Sequence, residues 1–170
     1  MIAPQPQARR QRRRTRGPWV QLACICDGYQ QEGGVIVPGR VIDILNVVVG
    51  LTGPNNELLP LPDGQLPGTL PSVDVPYTLL VSIKPDDYVG EDELRIELVH
   101  PDGRREVGWT QRIQLGGGTR GFHLGLRLAM RVGVPATFWF EVRFGRRLLT
   151  RVPFEVNYLP AGAGEREPQR

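Results

Sequence analysis

Chemistry in this sequence concentrates first in a run of arginines. Arg9, Arg10, Arg12, Arg13, Arg14 and Arg16 fall close together near the start of the chain. Charge packed this densely neutralises phosphates and releases their counterions, so binding weakens steeply with salt. Arginine-rich segments bind RNA or DNA by folding onto it. Nothing beside the run reads base edges, so such an arm would act without sequence readout. Trp19 follows and could stack on a base, although anchoring the first strand is its simpler use. No amphipathic helix accompanies the arginines, which argues against a lipid surface. The competing account is a solvated tail.

A second cluster is acidic. Asp86, Asp87, Glu91, Asp92 and Glu93 surround Tyr88-Val89-Gly90. In sandwich domains, loops at one end can gather carboxylates around Ca²⁺, which takes oxygen ligands. The spacing is not that of an EF-hand, and a second ligand-bearing loop would be needed, with Asp102 and Asp63 as candidates. A solvated turn between two strands is the simpler expectation, so no metal and no cofactor are assigned.

His100 and His123 could each act as a general base if paired with a nucleophile and an orienting acid. The serines are Ser72 and Ser82, and neither sits in a G-x-S-x-G turn. There is no H-E-x-x-H, no Walker loop, and no G-x-G-x-x-G after a strand. Gly116-Gly117-Gly118 joins two expected strands with no helix start behind it, so it lacks the phosphate-binding device. The sequence therefore predicts no enzyme and no small-molecule substrate. Cys24 and Cys26 lie two apart on an expected strand and would face the same side. A bridge between them would be strained, and they are expected as buried thiols that pack like small hydrophobes.

These residues need elements to hold them. The period is two nearly everywhere between the ends of the chain. Strands are expected at Trp19–Asp27 and Tyr77–Lys84, at Leu94–Leu98 and Glu106–Leu115, and then at Phe122–Val132, Phe138–Phe144 and Val152–Tyr158. Val35–Gly50 adds an apolar region broken at Pro38-Gly39, and Gly28–Gly34 reads as a turn. His100-Pro-Asp-Gly-Arg104 is a strong hairpin turn, because Pro presets φ and Gly tolerates positive φ. Leu51–Pro76 carries six prolines and is expected to be irregular. A loop that long in a compact domain is usually functional or disordered. Its Leu58, Leu59 and Leu61 could dock in a partner's groove or pair with a strand edge; packing back on their own domain is the simpler outcome.

The expectation is an all-β chain of about eight strands in an antiparallel two-sheet β-sandwich. It would occupy residues 18–159, between an arginine-rich tail (1–17) and a polar tail (160–170). The chain has 170 residues, of which 40% are hydrophobic, enough for one domain with a real core. No apolar run approaches the ~18 residues of a membrane span. Val41–Leu51 comes nearest, and Asp43 and Asn46 interrupt it. No secretory signal is visible, so the cytoplasm is the expected compartment. The net charge of +3 comes from the tail: past residue 16 there remain 15 of the 21 basic residues against all 18 acidic ones, a balance of −3.

Leu22-Ala-Cys-Ile-Cys-Asp27, the Gly33-Gly34 turn, Tyr77–Gly103, Thr137–Gly145 and Leu148–Tyr158 with its Pro153-Phe-Glu-Val156 carry a resemblance. Over roughly residues 20–158 the chain resembles a family of small uncharacterised bacterial β-sandwich proteins. That resemblance implies an immunoglobulin-like fold and a bacterial source, and it supplies no site residues. The arginine tail and the proline-rich loop depart from the family pattern. The expected function is a non-enzymatic interaction module that meets a protein partner through loops or strand edges. The alternative is a nucleic-acid-associated protein that uses the arginine arm.

Overall fold

The computed structural model describes residues 17–32, 35–118 and 120–162. None of these is helical, and twelve strands occur among them. The long strands are those where one face is apolar. In β10 (Phe122–Val132) and β11 (Ala136–Phe144), every second side chain turns toward the interior. The same holds for β12 (Arg147–Pro160), whose Val152, Phe154, Val156 and Tyr158 are buried. β8 (Asp86–Val99) and β9 (Arg105–Gly118) form a hairpin through the expected turn. His100 N–H donates to the Arg104 carbonyl at 2.8 Å, Asp102 accepts from the Arg104 amide at 2.9 Å, and Gly103 takes φ 84°.

Five strands form one sheet in the order β4-β12-β11-β8-β9, where β4 is Ile44–Val49. Three form a second, β1-β7-β10, where β1 is Trp19–Cys26 and β7 is Val73–Lys84. One hydrophobic core joins them: Ile25, Leu79, Val81, Ile83, Met130 and Val132 from the smaller sheet meet Leu94, Ile96, Phe140, Val142, Phe154 and Val156 from the larger. Tyr77 contributes its ring, with the Phe140 centroid at 5.3 Å. β7 is central in its sheet and is buried on both faces. Its other face carries Thr78, Leu80 and Ser82, and Leu80 packs with Cys24, Cys26, Leu22 and Ile36. Ile36 comes from a hairpin of β2 (Tyr29–Glu32) and β3 (Val35–Pro38).

Several expectations are corrected. Twelve strands replace about eight, because short pairs occur where turns or loops were expected. Tyr29–Glu32 within the expected Gly28–Gly34 turn is a strand, held by backbone pairing with Val35–Pro38 although its own side chains are exposed. Leu51–Pro76 is not wholly irregular: β5 (Leu51–Thr52) pairs with β6 (Leu58–Leu59), and β7 begins at Val73. Pro76 lies inside β7 opposite Ala129. β1 reaches only as far as Thr78, so this part of β7 has a neighbour on one side, where a strand accommodates proline.

The pairing is also not purely antiparallel. β4 runs parallel to β12, from Ile44↔Glu155 to Val49↔Pro160. Just before β4, Ile42 N–H donates to the Ile25 carbonyl at 2.8 Å, and Cys26 forms a bridge with Val41. The chain therefore crosses between sheets at Asp43, whose carbonyl already accepts from Glu155.

Candidate functional site

The acidic cluster is not a loop. Asp86, Asp87, Glu91 and Asp92 lie along β8, alongside the Ile113–Gly118 end of β9, with a register shift between Asp86 and Val89. Successive residues of a strand point to opposite faces, which divides these carboxylates between the two sides of β8. Glu91 instead approaches Arg112 at 3.9 Å. Asp102 sits in the turn at the far end of the same strand, and Asp63 lies in the segment between β6 and β7. Among the described residues no three His, Cys, Asp or Glu side chains form a group that could hold a metal ion.

The histidines are equally separate. His100 directly follows β8; its Nε2 is 3.3 Å from Glu106 Oε2, its Nδ1 is 3.2 Å from Arg104 Nη2, and its ring meets the Phe138 ring edge-on. His123 belongs to β10 in the other sheet. Cys24 and Cys26 are free and buried, as expected of small hydrophobes. Cys26 Sγ donates to the Thr78 carbonyl at 3.6 Å, and burial first, then the neighbouring Cys26, pushes the Cys24 thiol up.

The three leucines of the proline-rich segment divide. Leu61 packs on the main core, but Leu58 and Leu59 stay 50% and 40% exposed. They belong to a larger apolar end of the molecule. Val48 is paired with Leu159, Leu51 with Leu59, and all are exposed. Gly50 stitches the group together: a side chain there would clash with the Leu59 carbonyl, Leu58 and Ala161. β4 has a single sheet neighbour, so it presents an edge beside this end. Arg9, Arg10, Arg12, Arg13, Arg14 and Arg16 lie outside the described residues.

Sequence reasoning missed a charge network on the outer face of the larger sheet. Glu141, on β11, is 1% exposed and meets three guanidinium groups. Arg105 Nη1 lies at 2.5 Å, Arg151 Nη2 at 2.7 Å and Arg143 Nη2 at 2.8 Å. Glu97, its register neighbour on β8, pairs with Arg105 at 3.1 Å, Arg143 at 3.4 Å and Arg95 at 3.5 Å, and Arg95 also holds Glu93. Hydrogen bonds from Arg105 act first, and outweigh burial in lowering the Glu141 carboxyl to about 2. The signal lay in the outward positions of four strands: the register sets Glu141 opposite Arg151 on one side and opposite Glu97 on the other, with Arg143 opposite Arg95, so most of the Glu and Arg side chains pair diagonally. The network fixes charges in place and brings no nucleophile to them.

No protein-family model matches the chain, and no curated protein matches it in sequence. Among solved structures, beta-glucosidase 3B from Thermotoga neapolitana is 11% identical with a TM-score of 0.40, over 52% of this chain and 15% of that one. A beta-glucosidase from Listeria innocua is 14% identical with a TM-score of 0.40, over 69% of this chain and 15% of that one. The chain thus spans about 15% of the length of either enzyme. Among the described residues no helix is long and apolar enough to cross a membrane.

Proposed function

We propose that the chain is a non-enzymatic interaction module of the cytoplasm, an immunoglobulin-like two-sheet sandwich of the kind its resemblance to small bacterial β-sandwich proteins implies. The observation that carries this reading is the exposed apolar end formed by Val48, Leu51, Leu58, Leu59 and Leu159. Contiguous apolar surface beside an unpaired strand edge is how a sheet takes up an extended segment of another protein. Backbone hydrogen bonds along the edge hold such a segment, and apolar pockets select it. The partner is therefore a protein that offers an extended apolar stretch.

The test replaces only exposed side chains. Protein captured by the native chain should be lost with Leu58→Ser/Leu59→Ser, while the melting temperature stays within a few degrees. Retention of the same partner by a folded double variant would overturn the reading. A second reading, binding of nucleic acid through the six N-terminal arginines, is favoured by the separation of a basic segment from an otherwise acidic chain.

A further inference from the structure

β4 is an edge strand without the usual guards. Sheet edges are kept from pairing with another chain by charge, proline or a bulge. Of the other edges of the two larger sheets, β1 has a register shift between Val20 and Leu22. β9 has one against Ile96 and Glu97, and it carries Arg105, Glu106 and Arg112. β10 carries Arg127 and Arg131. β4 reads Ile-Leu-Asn-Val-Val-Val, with no charge and no proline, and its register with β12 is unbroken.

The backbone shows which groups this edge offers. The carbonyls of Asp43 and Val49 accept from the amides of Glu155 and Ala161, each at 2.8 Å. Backbone groups alternate sides along a strand. Those of Leu45, Val47 and Val49 therefore face β12, and those of Ile44, Asn46 and Val48 turn to the free edge. The side chains of Ile44, Asn46 and Val48 share the outer face of the sheet, with Ile44 48% and Val48 50% exposed. These three residues are spaced symmetrically about Asn46. A second β4 laid antiparallel beside the first sets Ile44 opposite Val48, Asn46 opposite Asn46, and Val48 opposite Ile44. Each of these pairs has its backbone groups on the shared edge and exchanges two hydrogen bonds. This is the register that engages all three.

The side chains match in the same register. Ile44 meets Val48 on either side of the axis, and Leu159, the β12 neighbour of Val48, extends that apolar row. On the axis, Asn46 and its β12 neighbour Asn157 line up with their copies as a row of four carboxamides. No like charges meet within the paired strands. A two-fold interface requires one patch that is complementary to itself, and β4 is such a patch.

We propose that the β4 edge pairs with the β4 edge of a second copy of this chain, joining the two five-stranded sheets into one. The assignment rests on the reading above, that this edge takes up an extended segment, and identifies the segment. Sedimentation of the full chain from micromolar to millimolar concentration tests it. A reversible dimer should form. Amide exchange should then slow at least tenfold at Ile44, Asn46 and Val48, and stay unchanged at Leu45, Val47 and Val49, which are already bonded to β12. Asn46→Asp and Asn46→Lys should each weaken the dimer at least tenfold, because like charges meet on the axis. Mixing the two variants should restore it, which misfolded chains could not do. A native chain that stays monomeric, a dimer without slower exchange at those three amides, or no recovery on mixing would overturn the assignment. If the monomeric chain still captures a protein that Leu58→Ser/Leu59→Ser loses, the assignment falls and the earlier reading stands. Loss of that capture as well would overturn both.

Discussion

Glu141 makes the clearest claim at the scale of single residues. Its carboxyl lies within reach of Arg105, Arg143 and Arg151, and it is held at about 2 against an ordinary 4.5. A depressed carboxyl stabilises the folded state fully above the unfolded value. That contribution fades as pH falls from about 4.5 through about 2. A fall of this size corresponds to at most about 3 kcal/mol. Urea midpoints measured from pH 7 to pH 2 should therefore drop in the acid range for the native chain, and the drop should be shallower for Glu141→Gln. Parallel profiles would remove Glu141 from acid stability. Near neutral pH, Glu141→Gln should cost about 1–3 kcal/mol. The loss is kept moderate because Arg105 and Arg151 are about half exposed and can turn to water.

Among the elements, the β2–β3 hairpin is a lid on the smaller sheet that depends on one glycine. A side chain at Gly125 on β10 would occupy the space of the Tyr29 ring. Ile36 from the same hairpin covers the layer of Leu80, Cys24 and Cys26. Gly125→Val should lift the hairpin and expose both thiols, raising their rate of reaction with a thiol reagent at least tenfold below the melting temperature. An unchanged rate would show that β2–β3 does not guard them. This hairpin was illegible in the sequence because Tyr-Gln-Gln-Glu has no apolar alternation; it is held by backbone pairing with Val35–Pro38 and by the Tyr29 ring against Gly125. The acidic start of β8 was missed for a related reason: Asp and Glu are poor strand formers, and the glycine-rich end of β9 supplies their partner. By contrast, β10 to β12 and the Asp102-Gly103 turn were plain, since each buries one face or needs one positive φ. The Glu141 network could not be read, because it requires the register between strands.

At the scale of the whole molecule, charge is divided along the chain: six arginines precede residue 17, and the rest sums to −3. If those arginines all contact phosphate, affinity for duplex DNA should fall about a thousandfold between 50 and 200 mM salt. A chain beginning at Gly17 should not bind. Equal binding by both lengths would end the nucleic-acid reading. The all-β character was foreseeable from alternation, but the direction of β4 was not, since a period of two is the same whichever way a strand runs. That direction has a mechanical meaning. A pull on the two ends of the chain drags β4 toward its start and β12 toward its finish, and in a parallel pair those are opposite ends. After β1 is peeled from β7, the seam from Ile44↔Glu155 to Val49↔Pro160 bears the load in shear, all its rungs at once, instead of opening like a zipper. Stretched singly between Gly17 and Gly162, the molecule should yield at one dominant force peak that Val47→Pro lowers. Among the described strand pairs this is the parallel one, so tension would be carried by the strand that crosses from β1 to the five-stranded sheet.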